Sequence, residues 1–409
     1  MKVNIRKLLC LLFIAIFACS ATSLAHAQSI TATINVASVA GSAVYDSGMG
    51  EIFVTSSNTY SGVFTVSAIS DSTNNVMAPI SIGVPLSMAY DSGKGEIFVG
   101  CESSTIDVVS DSTNAVATTI NAGADSLVYD SAKGEMFAFV DTNTFESGSI
   151  SASVISDSTN TVVATLTIGN TDGSAIGAAY DSGKGEVFVS NDADNTVSVI
   201  SDSSNSVVAT INVGNTPGPI AYDSAKGEVF VINWGDQTIS VISDSTNKVV
   251  ATINTASDAT PSYNFDSMAY VPSKGEMLVE TFDTSNINQN SISVISDSTN
   301  KVTSTINLGM DVAYPQSQAI AYDSSKNEVF MANGGAESAN ANTVSIISLS
   351  STSTAAPTAT PASSSSTSNT SSPTPKVPEF GNPALSLIAI AIAAVTLSVV
   401  LLVKKKTRK

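Results

Sequence analysis

Residues 178–214 read AAYDSGKGEVFVSNDADNTVSVISDSSNSVVATINVG, and this stretch decides the fold. Four short alternating apolar runs lie in it: AAYD, EVFVSN, TVSVIS and VVATINV. Val, Ile, Phe and Thr dominate them and turn residues separate them, so each is predicted to be a strand. The separators carry their own chemistry. Gly185 stands just before the Glu that opens the second strand, and Asn205 closes the turn before the fourth. A short hairpin closing on a type I turn needs a residue at positive φ there, which Gly and Asn tolerate best. One unit is therefore a four-stranded antiparallel meander.

Outward from this stretch the unit recurs. A Tyr-Asp turn and its following strand begin at Tyr45, Tyr90, Tyr129, Tyr180, Tyr222, Tyr270 and Tyr322, 39 to 52 residues apart, with the sixth copy degenerate (Tyr270-Val271-Pro272). The residue before the strand's Glu is Gly50, Gly95, Gly134, Gly185, Gly227, Gly275 or Asn327, which predicts one turn geometry used seven times. The second turn ends at Asn74, Asn114, Asn160, Asn205, Asn247 and Asn300, and Asp71 and its equivalents are suited to cap it. Glu186 and its counterparts are expected to pair with the lysine of their own turn.

VVATI-like strands follow all six Asn turns, but the seventh unit stops at residues 343–348, TVSIIS. Its missing fourth strand stands near the other end, where residues 30–36 (ITATINV) match VVATINV. A toroid closed by that N-terminal strand explains both irregularities. Radial repetition of four-stranded blades at about 40–45 residues is the propeller period. The predicted fold is all-β: a seven-bladed β-propeller of four-stranded antiparallel blades over residues 28–349.

SVISDSTNKVVATI (residues 240–253) and the strand endings VFVSN (187–191) and VFVIN (229–233) resemble the YVTN family of β-propeller repeats. That family is similar in turn to the propeller domains of archaeal surface-layer proteins. The resemblance covers roughly residues 29–349. It implies a propeller at the cell surface and names no ligand, since propellers host many unrelated tasks.

The flanking segments point to the same address. Lys2, Arg6 and Lys7 precede an apolar run over residues 8–18, and Ala25-His26-Ala27 supplies a small-x-small site, so residues 1–27 read as a secretory signal peptide. Lipid modification at Cys19 is the weaker alternative, because Ile16-Phe17-Ala18 matches a lipobox poorly. Residues 350–376 collapse to Ser, Thr, Ala and Pro, an extended stalk that reaches about 80 Å at polyproline spacing. Asn369-Thr370-Ser371 offers an N-glycosylation sequon there.

Residues 384–403 carry no charge and are long enough to cross a bilayer as a helix, and the basic end at 404–409 would stay cytoplasmic. Just before the span, within residues 377–383, Pro378-Glu379-Phe380 resembles the PEF motif of archaeal C-terminal sorting signals. That resemblance implies a membrane sorting peptidase that recognises motif, span and basic tail; without it the segment is a plain single-pass anchor.

Between residues 28 and 375 there are 8 lysines against 34 Asp and Glu, a net charge of −26. Such a surface repels nucleic acid and anionic headgroups and suits solubility, cations or basic partners. His26 is the only histidine and leaves with the signal peptide, so Ser-His-Asp, Cys-His and His-based zinc, copper or haem chemistry have no imidazole. Cys10 and Cys19 leave too. Cys101 then stands alone without an intramolecular disulfide partner, and beside Glu102 it is expected to be a small buried residue.

The repeated YDSGKGE suggests a calcium loop, but identical copies in hairpins are better explained as turn chemistry. Asn191-Asp192-Ala193-Asp194-Asn195 places oxygen ligands at alternate positions, which makes Asp192 and Asp194 weak Ca²⁺ candidates; the glycine and distal Glu of an EF-hand are absent.

The two stereotyped hairpins of each blade must emerge on one face of the disc. The other connections emerge on the opposite face and vary, with expansions at residues 55–62, 140–148, 256–266, 280–290 and 310–318. They carry the aromatics outside the repeat pattern: Tyr60, Phe145, Trp234, Tyr263, Phe265, Phe282 and Tyr314, among Asp141, Glu146, Asp236, Asp258, Asp283 and Asp311. Large flat side chains near charge suit recognition of protein or glycan, and the same side chains also serve to cap the blade tops.

The expected function is a non-enzymatic, membrane-anchored interaction, adhesion or envelope-layer module, with envelope proteins or glycans as partners. Two alternatives stand beside it. One is an extracellular lactonase- or lyase-like propeller using carboxylates and a divalent metal; the other is a purely architectural brick of a surface lattice.

Overall fold

The computed structural model describes residues 29–58, 60–142, 148–171, 177–255, 263–283, 291–308, 320–334 and 342–349. The expected signal peptide, stalk, glycosylation sequon, sorting motif, membrane span and basic end lie outside them. Among the described residues there are strands and turns, and no helix is long and apolar enough to cross a membrane.

The described strands form seven four-stranded antiparallel sheets. Blade 4, the stretch quoted first, consists of Ala178–Asp181, Glu186–Asn191, Thr196–Ser201 and Ser206–Asn212, in that spatial order. Blades 1, 2, 3, 5 and 6 repeat the meander, with first strands Val39–Asp46, Pro85–Asp91, Ser126–Asp130, Pro217–Asp223 and Tyr263–Val271. Blade 7 takes Ile320–Asp323, Glu328–Asn333 and Thr343–Ser348 from its own repeat, and its outer strand is Ser29–Asn35. Ile30 stands opposite Ile347 and Ile34 opposite Val344, antiparallel as expected, with one irregularity between Ile30 and Ala32.

The first strands neighbour one another in sequence around the molecule, and the blade 7 first strand returns to touch that of blade 1, so the ring closes. Apolar burial follows the same plan. Each of seven core clusters lies between two adjacent blades; the one joining blades 7 and 1 includes Ile34, Ala43, Ile52, Phe330 and Ile346. Phe53, Phe98, Phe137, Phe188, Phe230 and Phe330 occupy equivalent, fully buried places in the second strands, with Leu278 in blade 6. Truncating one such Phe to Ala costs about 3–5 kcal/mol.

Fourth strands lie at the rim, where Val163, Val208 and Val250 stay exposed. Blade 1 departs from expectation. Its VVATI-like segment pairs only over Ile80–Ser81, after an isolated bridge at Val76, because Pro79 has no N–H to give a ladder.

Candidate functional site

The hairpin face uses its polar groups to fasten blades together. In each of blades 1–5 and 7 the Asp ending the first strand closes an Asx turn: Asp91 Oδ1 accepts from Gly93 N at 2.8 Å and Lys94 N at 3.1 Å. Asp46, Asp130, Asp181, Asp223 and Asp323 do the same. All seven residues before the strand's Glu have positive φ, from 57° at Asn327 to 69° at Gly95. The six Asn that close the second turn do so as well. Turn chemistry therefore accounts for the repeated acidic motif.

The lysines correct one expectation. Lys94, Lys133, Lys184, Lys226 and Lys326 each reach across to the next blade and donate to the main-chain carbonyl of its second-turn Asp: Asp157, Asp202, Asp244, Asp297 and Asp71. Only Lys94 forms an ion pair with its own Glu, Glu96, at 3.4 Å among the described residues. A turn lysine carries four methylenes, and the next blade's carbonyl lies within that reach; Glu135, Glu186, Glu228 and Glu328 still feel the charge of their own turn lysine.

The repeated tyrosines complete the junctions. Tyr129 donates to Asp157 Oδ2 at 3.1 Å and also faces Asp91 of the preceding blade; burial first, then these carboxylates, hold its hydroxyl far above the ordinary range. Tyr90, Tyr180, Tyr222 and Tyr270 are raised for the same reasons, against Asp46, Asp130, Asp181 and Asp223.

The opposite face is built differently in every blade. Blade 1 projects a longer hairpin, Glu51–Asn58 and Val63–Ser70, so Thr55, Ser56, Ser57 and Asn58 are strand where a loop was expected. Tyr60 stands at its tip, 97 % exposed, beside exposed Val63. Trp234 is half-buried, packs on the core between blades 5 and 6, and covers Gly218, whose missing Cβ would lie 2.6 Å from the indole ring. It is therefore partly a cap.

Tyr263, Phe265 and Phe282 are not on loops either. Strands Tyr263–Val271 and Glu276–Asp283 extend far enough to pair Tyr263 with Asp283 and Phe265 with Thr281. Phe145 and Tyr314, with Glu146, Asp258 and Asp311, lie outside the described residues.

Two consecutive junctions on this face share a clasp that sequence reading missed. Asn215 donates to Asp236 through its backbone N (2.7 Å) and its Nδ2 (2.6 Å), and Asn170 approaches Asp194 in the same way at 3.3 and 3.2 Å. The Gly-Asn-Thr triplet at 169–171 and again at 214–216 is the signal that could have found it. Asp194 is thus engaged by Asn170, Asp192 is buried, and the described residues hold no group of three or more His, Cys, Asp or Glu arranged for a metal ion. That arrangement does not fit the calcium expectation.

Asn191, Asn233 and Asn333, the strand-ending asparagines, are buried. Each donates Nδ2 to two hydroxyls of the third strand; Asn233 reaches Thr238 Oγ1 at 3.0 Å and Ser240 Oγ at 2.9 Å.

Beside the second clasp Thr216 adopts φ 51°, a conformation costly for a β-branched residue. Asn195 Oδ1 accepts its N–H at 2.8 Å and its carbonyl accepts from Trp234 N at 3.0 Å, which holds the strain in place. A cleft of about 290 Å³ opens next to it, lined in part by Asn212, Gly214, Asp236, Thr238, Ser240 and Thr252. Strained backbone, an acid and a cleft lined by polar side chains together with Val213 and Val249 thus lie at the junction of blades 4 and 5. Cys101 is buried as expected, and burial followed by Asp107 pushes its thiol up to about 11, which keeps it inert.

No protein-family model matches the chain, and no curated protein matches it by sequence. Solved structures do. One chain in the crystal structure of the mitotic checkpoint complex is similar with a TM-score of 0.62 at 13% identity, covering 80% of this chain and 94% of that one. The crystal structure of the WD40 β-propeller domain of Doa1 gives 0.55 at 13% identity, with 79% and 97% covered. The protein is a seven-bladed β-propeller. At this identity the likeness carries the fold alone.

Proposed function

We propose that this propeller is a non-enzymatic, membrane-anchored cell-surface module that binds envelope proteins or glycans through its variable face. One observation carries the reading: the hairpin face spends its polar groups on blade-to-blade fastening, while the variable face presents Tyr60 on a projecting hairpin and a strained junction at Thr216 with a cleft beside Asp236. Propeller folds commonly serve as protein-interaction scaffolds. The signal-like opening, the Ser/Thr/Pro stalk, the uncharged span and the basic end support the address, as do the YVTN and PEF resemblances. A sorting peptidase acting at Pro378-Glu379-Phe380, and glycosylation at Asn369, belong to the same reading. No observation favours the carboxylate–metal hydrolase or lyase.

The test is binding of the full-length protein in detergent to isolated cell envelopes and to a glycan array. Tyr60→Ala and Asp236→Asn are expected to weaken binding several-fold while Tm stays within a few degrees; Ser158→Ala, on the hairpin face, leaves binding unchanged. Equal binding by all three variants contradicts the face assignment. Protease shaving of intact cells tests the address separately: an undigested propeller contradicts it.

A further inference from the structure

Six second turns offer an Asp carbonyl towards the preceding blade, and five of them receive a lysine ammonium. Asp111 of blade 2 is the sixth. Blade 1 carries Met49 where each of the five latching blades carries lysine, and Met49 is 55 % exposed. The rest of the ammonium seat is kept.

Glu51 is only 6 % exposed, and its Oε2 has no hydrogen-bond partner. The Oε2 atoms of Glu135, Glu186 and Glu228 have none either, but each of those glutamates feels the lysine of its own turn, and Glu51 feels none. The equivalent oxygen of Glu96 stands 3.4 Å from Lys94 Nζ, so this is the atom that faces the ammonium. Glu96 Oε2 also accepts from Asn160 Nδ2 of the next blade at 3.3 Å, whereas the equivalent Asn114 Nδ2 turns to Met77 Sδ at 3.2 Å. Asp46, Asp71 and Asp111 surround Glu51 with further negative charge. Tyr90 faces Asp46 and Asp111, and Lys326 is engaged at Asp71, 3.4 Å from Oδ1. A buried carboxylate facing like charges is costly until something positive joins it.

We propose that the junction between blades 1 and 2 binds an ammonium-sized monovalent cation from solution, held by Glu51 and the Asp111 carbonyl in the place its five sister junctions give to lysine. The five lysines act as built-in stand-ins for the ligand. A single charge fits because those seats hold one. A divalent ion, which takes six or more oxygens or a rigid octahedron, does not: Asp46, Asp71 and Asp111 lie around Glu51, but no three of the described carboxylates are arranged to hold one metal ion.

The experiment is thermal unfolding of the full-length protein at pH 7.5 and constant ionic strength, in potassium or ammonium chloride against tetramethylammonium chloride, whose cation is too large for the seat. Wild type is expected to gain about 1–3 °C, saturably, in potassium or ammonium. Met49→Lys raises Tm in every salt and loses the difference between salts; Met49→Leu keeps it. Should Met49→Lys fail to fold, Glu51→Gln serves, with loss of the salt difference expected. No difference in wild type, or an undiminished one in Met49→Lys or Glu51→Gln, overturns the proposal.

Discussion

At the residue scale, the turn glycines are held by two constraints at once. Gly185 sits at φ 66°, and a Cβ on it would lie 2.4 Å from an Asp202 carboxylate oxygen. Gly185→Ala is therefore expected to destabilise by about 1–3 kcal/mol in urea unfolding. Asn327 shows the converse. Blade 7 has no second turn and so no Asp to obstruct a Cβ; Asn327 Oδ1 instead accepts from Ser273 Oγ at 2.8 Å and Tyr322 OH at 2.9 Å. The need for positive φ was legible from Gly and Asn in sequence. The carboxylate above each glycine was not, because it comes from a turn one hairpin away. Thr216→Asn, which relieves a β-branched residue at φ 51°, is expected to raise stability by about 0.5–1 kcal/mol in the same assay.

At the scale of elements, strands and hairpins followed directly from alternation and turn residues. Two kinds of error remained. Side chains that act between blades escaped notice: the local pairing of turn lysine and glutamate holds as a contact at Lys94–Glu96 and as charge attraction in four other blades, but five lysines also donate to the next blade, whose carbonyls lie 60 or more residues away in sequence. Strand ends were misplaced where polar and aromatic residues looked like loops, as at Tyr263, Phe265 and Phe282, although backbone pairing continues through them. The candidate site was legible only as a face; the Asn215–Asp236 clasp and the strain at Thr216 depend on loops that meet in space. Asp236→Ala removes an acceptor used by two donors, and a loss of about 1–2 kcal/mol is expected on urea unfolding.

At the scale of the whole molecule, the junction carboxylates give the disc a predictable pH response. Glu51, Glu135, Glu186, Glu228 and Glu328 are raised from 4.5, and Asp111, Asp202 and Asp244 from 3.8, by burial first. The folded state then holds protons that the unfolded chain has released, so the contribution of these groups is fully present below the unfolded values and is lost as pH rises through the higher folded ones. Tm is expected to decline from mildly acidic to neutral pH; a Tm that rises over that interval contradicts the junction assignment.

Ring closure underlies both the blade count and the separation of a fastened face from a recognition face. Hydrogen exchange of the full-length protein tests it most directly, by comparing Ser29–Asn35, which closes blade 7, with Ser206–Asn212, the outer strand of blade 4. Comparable protection in the two strands is predicted. Exchange of Ser29–Asn35 at the rate of an unstructured peptide, with Ser206–Asn212 still protected, would contradict it.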